Sequence, residues 1–132
     1  MDSSANVAVV TRFYEQGVNQ RRWEVVNDLL ATDYRHNEQL LGVAGQRRSL
    51  EILYAAFPDV RVAIEETVVQ GDRVVTRMRW SGIQQGAFMG VPARGKRVQW
   101  TAISIIRVVG GKIAEARVIE DELGLLRQIQ HG

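Results

Sequence analysis

The last predicted strand of the chain carries charged side chains whose spacing suits chemistry on a bound small molecule. Because side chains along a strand alternate between its two faces, Glu115, Arg117 and Asp121 are expected to share one face. A carboxylate in an apolar cavity is poorly hydrated, so its pKa rises and it becomes a usable base near neutral pH. The alternative is that Asp121 caps a short helix over 122–129, and the two roles are compatible.

Arg117 decides what such a site could do. An arginine in an apolar interior is costly unless it is paired, and Glu115 and Asp121 are its candidate partners. A pair between Arg117 and Asp121 would hold the carboxylate in its charged form and weaken it as a base for carbon acids. An acid–Arg–acid set would instead suit activation of water and protonation of a leaving oxygen.

Composition places the chain in a broad class. Its 132 residues are 45% hydrophobic and 24% charged, with a net charge of +2, and they include no cysteine. These values predict one domain (1–132) of a soluble cytoplasmic protein with no nucleic-acid partner and no membrane span. The two histidines, His36 and His131, lie too far apart to suggest a metal site.

The elements that must position these residues follow from the hydrophobic pattern. Helical spacing predicts three helices, at about 5–19, 23–31 and 45–57, with a short strand around 34–36 between the second and third. Alternating β-branched residues then predict four strands joined by turns, and a short amphipathic tail follows at 122–129. The strands are 60–70, 73–82, 97–109 and 112–121.

Helices followed by hairpin-linked strands indicate the α+β class rather than α/β. Packed under helices on one face, a twisted four-stranded antiparallel sheet can curl into a half-open cone around an apolar pocket. The segment "GAFMGVPARGK" (86–96) lacks the ending of a phosphate-binding loop and does not open a helix, so it is expected to be a long hairpin loop at the mouth of the cone. No dinucleotide fingerprint follows a strand, so no cofactor is expected.

Four strings carry a resemblance to a known family. They are "FPDV" (57–60), "GDRVVTRMRWSG" (71–82), "GAFMGVPARGK" (86–96) and "GGKIAEARVIEDELGLLRQI" (110–129). The chain resembles the SnoaL-like polyketide cyclases of the nuclear transport factor 2-like superfamily over nearly its whole length. The resemblance implies the α+β cone, a deep apolar pocket for a small-molecule substrate and often a homodimer. It also implies that Asp121 stands at the position of the family's general acid/base.

The chain departs from the family at two positions. Gln84 stands where the family usually has a histidine; it can donate a hydrogen bond to an enolate oxygen but cannot shuttle protons at neutral pH. Arg117 stands where the family usually has an aromatic residue. His36, in "YRHNEQ", matches a segment from which a polar residue reaches the pocket, so it is a candidate for binding a substrate oxygen or assisting proton transfer, or else an ordinary loop histidine.

Large apolar side chains are candidates for the walls of the pocket. Trp80, Trp100, Phe88 and Met89 suit contact with a flat aromatic substrate, although plain core packing is the favoured explanation for any single one of them.

These residues favour a cofactor-independent enzyme that cyclises or isomerises a polyketide-type or other carbonyl-bearing apolar molecule. In that hypothesis Asp121 is the acid/base, Gln84 and His36 are polar contacts, and Glu115 and Arg117 bind substrate. The alternatives are a hydroxylation component that works with a reductase, an epoxide hydrolase-like activator of water, and a non-catalytic binding or dimerisation domain. The discriminating feature is whether Arg117 fills the cavity and ties up Asp121.

Overall fold

The computed structural model describes residues 3–131, in which helices cover one face of a six-stranded sheet of order β2-β1-β6-β5-β4-β3. This arrangement confirms the predicted α+β class and the cone, with details of strand number that differ. The elements, in chain order, are α1 Ser3–Arg12, a π-helix Phe13–Asn19, α2 Trp23–Leu29, β1 Leu30–His36, β2 Gln39–Leu40, α3 Gly42–Ala56, β3 Arg61–Gln70, β4 Arg73–Ile83, β5 Arg97–Val109, β6 Lys112–Glu120 and α4 Glu122–Gln130.

The first predicted helix changes its winding halfway. Its second half, Phe13–Asn19, is a π-helix, a wide turn that is rare and is frequently found at functional sites. Phe13, Tyr14 and Val18 of this turn are buried against the sheet. The hydrophobic spacing predicted a helix over this segment, but it does not distinguish a π-helix from an α-helix.

The predicted meander of four antiparallel strands is present as β3 to β6. The sheet is nevertheless larger than predicted, because β1 pairs in parallel with β6 and antiparallel with β2. β1 spans Leu30–His36, whereas the sequence predicted only a short strand around 34–36. Its partner lies near the far end of the chain, so no local pattern announces the pairing.

A bulge in β6 sets which of its side chains face inward. Val108 pairs with Ile113 while Arg107 pairs with Glu115, so Ala114 is an extra residue on this strand. A shift of one residue turns every later side chain to the opposite face. Ala116 is buried while Arg117 is exposed, and the prediction that Glu115, Arg117 and Asp121 face the interior is therefore wrong.

Asn19 joins the helical layer to the sheet, and Tyr54 joins two elements within the helical layer. The Asn19 amide donates to the Val62 carbonyl and accepts from the Val62 N–H, both at 2.8 Å, at the edge strand β3. The Tyr54 hydroxyl donates to the Val18 carbonyl at 2.8 Å and so ties α3 to the π-helix. These bonds fix α3 and the π-helix above the sheet face on which the core lies.

The loop between β4 and β5 is anchored to the end of α3. The N–H groups of Gln85 and Gly86 both donate to the Ala56 carbonyl, at 2.8 and 3.1 Å. A Cβ at Gly86 would lie 2.5 Å from the Ala55 carbonyl oxygen, closer than real Cβ contacts come. Glycine therefore permits this close approach of two backbone segments.

Gly86→Ala should lower the free energy of unfolding by about 1–3 kcal/mol, because the loop must move away from α3 to admit the methyl group. Urea unfolding followed by circular dichroism measures the change. Ala87→Ser at the adjacent exposed position is the control and should stay within about 0.5 kcal/mol of the wild type. Equal loss in both variants would contradict the close packing at Gly86.

Asp121 caps α4. Its Oδ1 accepts a hydrogen bond from the Gly124 N–H at 2.9 Å, and Leu125 and Ile129 are fully buried on the inner side of the helix. The Gln128 side chain holds α4 against β5, donating to the Gln99 carbonyl at 2.8 Å and accepting from its N–H at 3.1 Å.

Asp121→Ala should cost about 0.5–2 kcal/mol of stability, because the N–H at the start of α4 loses its acceptor. Asp121→Asn should retain most of that stability, since asparagine caps helices about as well as aspartate. Parallel urea titrations of the two variants measure the difference. If both variants unfold at the same urea concentration, the capping bond is not what Asp121 contributes.

Candidate active site

A cavity of about 220 Å³ lies between the helices and the sheet. Most of its wall is apolar, as expected for a site that binds an apolar small molecule. The helices contribute Phe13, Val18 and Leu50, and the sheet contributes Met78, Ile106 and Ile113.

The opening of the cavity lies between α3 and the end of β6. Ser49 and Ile52 on α3 and Glu120 on β6 line the cavity and are also exposed to solvent. Glu120 is thus a carboxylate at the rim, in contact with solvent on one side and with the cavity on the other. Among residues 3–131, Glu120 is the one carboxylate that lines the cavity.

The surroundings of Glu120 make it a weaker acid than usual. Burial among neighbouring atoms is the largest cause and raises its pKa, and repulsion from the negative charge of Glu122 raises it further. The indole N–H of Trp100 partly offsets this rise, although its geometry falls short of a hydrogen bond. The result is a carboxyl group that holds its proton more strongly than an ordinary glutamate.

Tyr34 and His36 form a pair in the wall. They lie two residues apart on β1 and so share a face, and the Tyr34 hydroxyl is 2.7 Å from His36 Nδ1. Burial lowers the pKa of His36 and raises that of Tyr34, so the imidazole is neutral and the phenol keeps its proton. When Tyr34 donates to Nδ1, the imidazole proton resides on Nε2.

Three hydroxyl groups form a chain beneath the cavity. The Tyr14 hydroxyl donates to Ser104 Oγ at 3.3 Å, and Ser104 Oγ lies 2.6 Å from the Thr76 hydroxyl. All three residues are buried, and burial raises the pKa of Tyr14 to about 12. Because these groups bond to one another, the chain brings polar atoms into the core without leaving them unpaired.

Aromatic rings build the flat part of the wall. Trp80 and Trp100 lie directly opposite each other on β4 and β5, with ring centroids 6.2 Å apart and planes inclined by 11°. Phe88 packs edge-on against Phe57 at 5.2 Å and lines the cavity from the β4–β5 loop. The structure therefore places His36, Trp80, Trp100 and Phe88, among the predicted site residues, in the cavity wall.

Two predicted substrate contacts lie on the opposite face of the sheet. Arg117 Nη1 is 3.0 Å from Glu38 Oε1, and its Nη2 is 3.6 Å from Glu115 Oε2. Glu115 also pairs with Arg107, at 3.7 Å. Arg117 therefore pairs with its candidate partner Glu115 but not with Asp121, and it does not fill the cavity, so the expected set of Arg117 with both acids is corrected.

Three other predicted residues also lie outside the cavity wall. Asp121 is the exposed cap of α4 described above. Gln84 is fully buried and donates to the carbonyls of Gly86 and Val91, at 3.2 and 3.0 Å, so it holds the β4–β5 loop. Met89 is 47% exposed in that loop. The bulge in β6 explains why Glu120 lines the wall in place of its neighbour.

Sequence reasoning missed five polar residues of the wall: Tyr14, Tyr34, Gln46, Ser49 and Glu120. A signal for Glu120 was present, since Ala116 and Val118, which share its face, are less polar than Glu115 and Arg117. Tyr34 could have been found from its two-residue spacing to His36. Nothing in the helical pattern separates Tyr14 or Gln46 from ordinary core and surface residues.

Within residues 3–131 no cluster of three or more His, Cys, Asp or Glu side chains has the arrangement of a metal site. A helix of the length and apolarity that a bilayer crossing requires is also absent from this range.

Comparisons with known proteins agree with this architecture. Aklanonic acid methyl ester cyclase DnrD of Streptomyces peucetius is 28% identical over 96% of this chain and 91% of its own length. A structure from Jannaschia sp. CCS1, described as SnoaL-like, superposes with a TM-score of 0.90 at 26% identity, covering 98% of this chain and 94% of the other. The structure of TsrD from Streptomyces laurentii gives 0.88 at 28% identity, with 98% and 97% covered.

The family model for the SnoaL-like polyketide cyclases matches residues 8–129, which run from within α1 to the last turn of α4. Together with the fold and the apolar cavity, this match shows that the chain belongs to the SnoaL-like polyketide cyclase family.

Proposed function

We propose that this chain is a cofactor-independent enzyme that acts on an apolar small molecule bearing a carbonyl group, with Glu120 as its acid/base residue. One observation carries the proposal. Among residues 3–131, Glu120 is the single carboxylate that lines the apolar cavity, and burial raises its pKa. A carboxylate whose pKa is raised is a stronger base than an ordinary glutamate, which suits it to proton transfer with a bound substrate.

In the proposed reaction, ionised Glu120 removes a proton from the carbon next to the substrate carbonyl. The C–H bond breaks, an O–H bond forms on Glu120, and the electron pair moves onto the carbonyl oxygen as an enolate. The enolate carbon then attacks a second carbonyl of the same molecule, which forms a C–C bond and an alkoxide. Glu120 returns its proton to the alkoxide, so the cycle is balanced without a cofactor.

His36 serves as the neutral hydrogen-bond donor of this site. With Tyr34 donating to Nδ1, the imidazole presents Nε2–H, which can stabilise negative charge on a substrate oxygen. A neutral imidazole suits this role, because it donates a hydrogen bond without bringing a positive charge into the apolar cavity.

The relatives support an aldol-type ring closure. DnrD is named as a cyclase of aklanonic acid methyl ester, and it matches 96% of this chain. At 28% identity this relative supports the class of reaction and leaves the particular substrate of this chain to experiment.

Wild-type protein should accelerate exchange of the α-protons of 1-tetralone in D₂O, because Glu120 is a base beside a bound carbonyl. Glu120→Gln should lose about 100-fold or more of that acceleration, the usual contribution of a positioned base. Loss of the C2 proton signal in ¹H NMR gives the rate. The rate should rise with pH and level off above the pKa of Glu120, which lies above the ordinary glutamate value, because the charged form is the base.

Asp121→Asn is the matched control, since it changes the adjacent acid while retaining a helix cap. It should keep the exchange rate within about twofold of the wild type. Exchange that survives Glu120→Gln and disappears in Asp121→Asn would make Asp121 the base. Wild-type protein that binds 1-tetralone without speeding exchange would favour the non-catalytic alternative.

The outer face of the sheet suits pairing with a second copy of the chain. Ile103, Ile105 and Ile119 form an exposed apolar patch there, and Ile119 is 81% exposed. The ion pair between Arg117 and Glu38 borders the patch. A twofold axis through the patch would therefore bring opposite charges of the two copies together. These features support a homodimer in which Arg117 has a structural role.

Ile119→Asp should convert the dimer to a monomer, because a charge would be buried in the apolar patch. Sedimentation equilibrium measures the mass. Leu123→Asp, at an exposed apolar residue on α4, is the control and should leave the mass unchanged. A wild-type protein that is already monomeric at about 100 µM would rule out the dimer.

A further inference from the structure

The Trp100 indole N–H interacts with the Glu120 carboxyl but makes no hydrogen bond of normal geometry to any residue in the range 3–131. Its side chain is 4% exposed and lines the cavity, yet its indole Nε1–H has no acceptor within residues 3–131. Buried polar groups in native proteins almost always have partners, and an exception calls for an explanation. An indole N–H can only donate, so the missing partner must be an acceptor.

The position of Trp100 shows where that acceptor would lie. Glu120 pairs with Ala102 across β5 and β6, and Trp100 is two residues from Ala102 on the same face. Trp100 and Glu120 are therefore diagonal neighbours, a separation that long side chains bridge. The indole N–H thus faces the region beside the Glu120 carboxyl, and a ligand atom that accepts from Trp100 lies within reach of Glu120.

Gln46 is the other polar group of the cavity wall with an unpaired atom. It is 8% exposed, and its Oε1 has no partner among the described residues. Its terminal amide can present either an acceptor or a donor by rotating through half a turn, so it does not specify the chemistry of a ligand. Trp100 does specify that chemistry, and the inference rests on it.

We propose that Trp100 Nε1–H is the hydrogen-bond donor that binds the substrate's carbonyl oxygen next to Glu120, and that this bond selects ketones over apolar molecules of the same shape. The proposal deepens the proposed function, on which it rests for the identity of the oxygen as a carbonyl. As the α-proton leaves, negative charge develops on that oxygen, and a donor already in place stabilises it.

The neighbouring ring explains how a flat substrate would be presented to this donor. Trp80 and Trp100 lie nearly parallel, so their faces form one planar wall. Trp80 is not among the residues with an unpaired buried nitrogen, so it contributes ring surface without the same missing acceptor. Trp80 thus contributes to recognition of shape, and Trp100 also contributes polar recognition. Variants of the two tryptophans therefore form a matched pair for testing these roles.

The test compares 1-tetralone with tetralin, which has the same carbon frame and lacks the carbonyl. Wild-type protein should bind 1-tetralone roughly 10-fold more tightly, the effect of about one hydrogen bond. Trp100→Phe keeps an aromatic ring and removes the N–H, so it should bind the two molecules equally. Trp80→Phe should weaken binding of both and keep their ratio. ¹H–¹⁵N NMR titration gives both affinities.

An NMR signal of the Trp100 indole N–H tests the same hydrogen bond without relying on the folding of Trp100→Phe. The indole Nε1–H resonance of Trp100, assigned by elimination with Trp23→Phe and Trp80→Phe, should move downfield when 1-tetralone binds and stay in place with tetralin. A wild-type protein that binds 1-tetralone no more tightly than tetralin, or an indole resonance that responds equally to both, overturns the proposal.

The binding and exchange experiments distinguish a failure of the Trp100 proposal from a failure of the proposed enzyme activity. A selective indole shift without α-proton exchange supports Trp100 as the oxygen donor of a binding site and contradicts the proposed enzyme. Exchange that depends on Glu120 with no selective shift supports the enzyme and overturns the role of Trp100.

Discussion

The register of β6 against β5 is the constraint on which the candidate site depends. Ala114 has no partner of its own on β5, so every residue after it lies on the face opposite to the one that alternation counted from the buried Ile113 assigns. The consequence is a division between adjacent acids: Glu120 meets the cavity, and Asp121 begins α4. The bulge thus links the geometry of one hairpin to the chemistry at the opposite end of the strand.

The polar groups of the cavity are kept there by three different physical arrangements. Tyr14 belongs to a hydroxyl chain with Ser104 and Thr76, in which the buried groups bond to one another. Tyr34 bonds to His36, which stays neutral because burial disfavours its charged form. Glu120 lies at the rim, where contact with solvent limits the cost of its charge while burial of its inner side still raises its pKa.

Much of the fold could be predicted from local pattern, because the hairpins join strands that are neighbours in sequence. The alternation in β4 and β5 also identified Trp80 and Trp100, which lie opposite each other in the cavity wall. What local pattern missed depends on distant partners. β1 pairs with β6 from the other end of the chain, and the bulge is defined only by how β6 matches β5.

The errors at the site have the same origin. Assigning the inward face of β6 from the family position of Asp121 overlooked the more apolar set formed by Ala116 and Val118. Gln84 was expected to contact a ligand because of its place in the family pattern, but its amide is used to hold the β4–β5 loop. In both cases the residue type allowed the predicted role, and tertiary contacts gave it another.

The π-helix has an implication for how such a site changes during evolution. Its wide turn accommodates more residues between its ends than α-helical winding would, and Tyr14 and Val18 reach the cavity from it. Loss of one residue here would rewind the segment and rotate different side chains toward the substrate. A change of chain length by a single residue in this segment would therefore alter the lining of the cavity without exchanging any side chain.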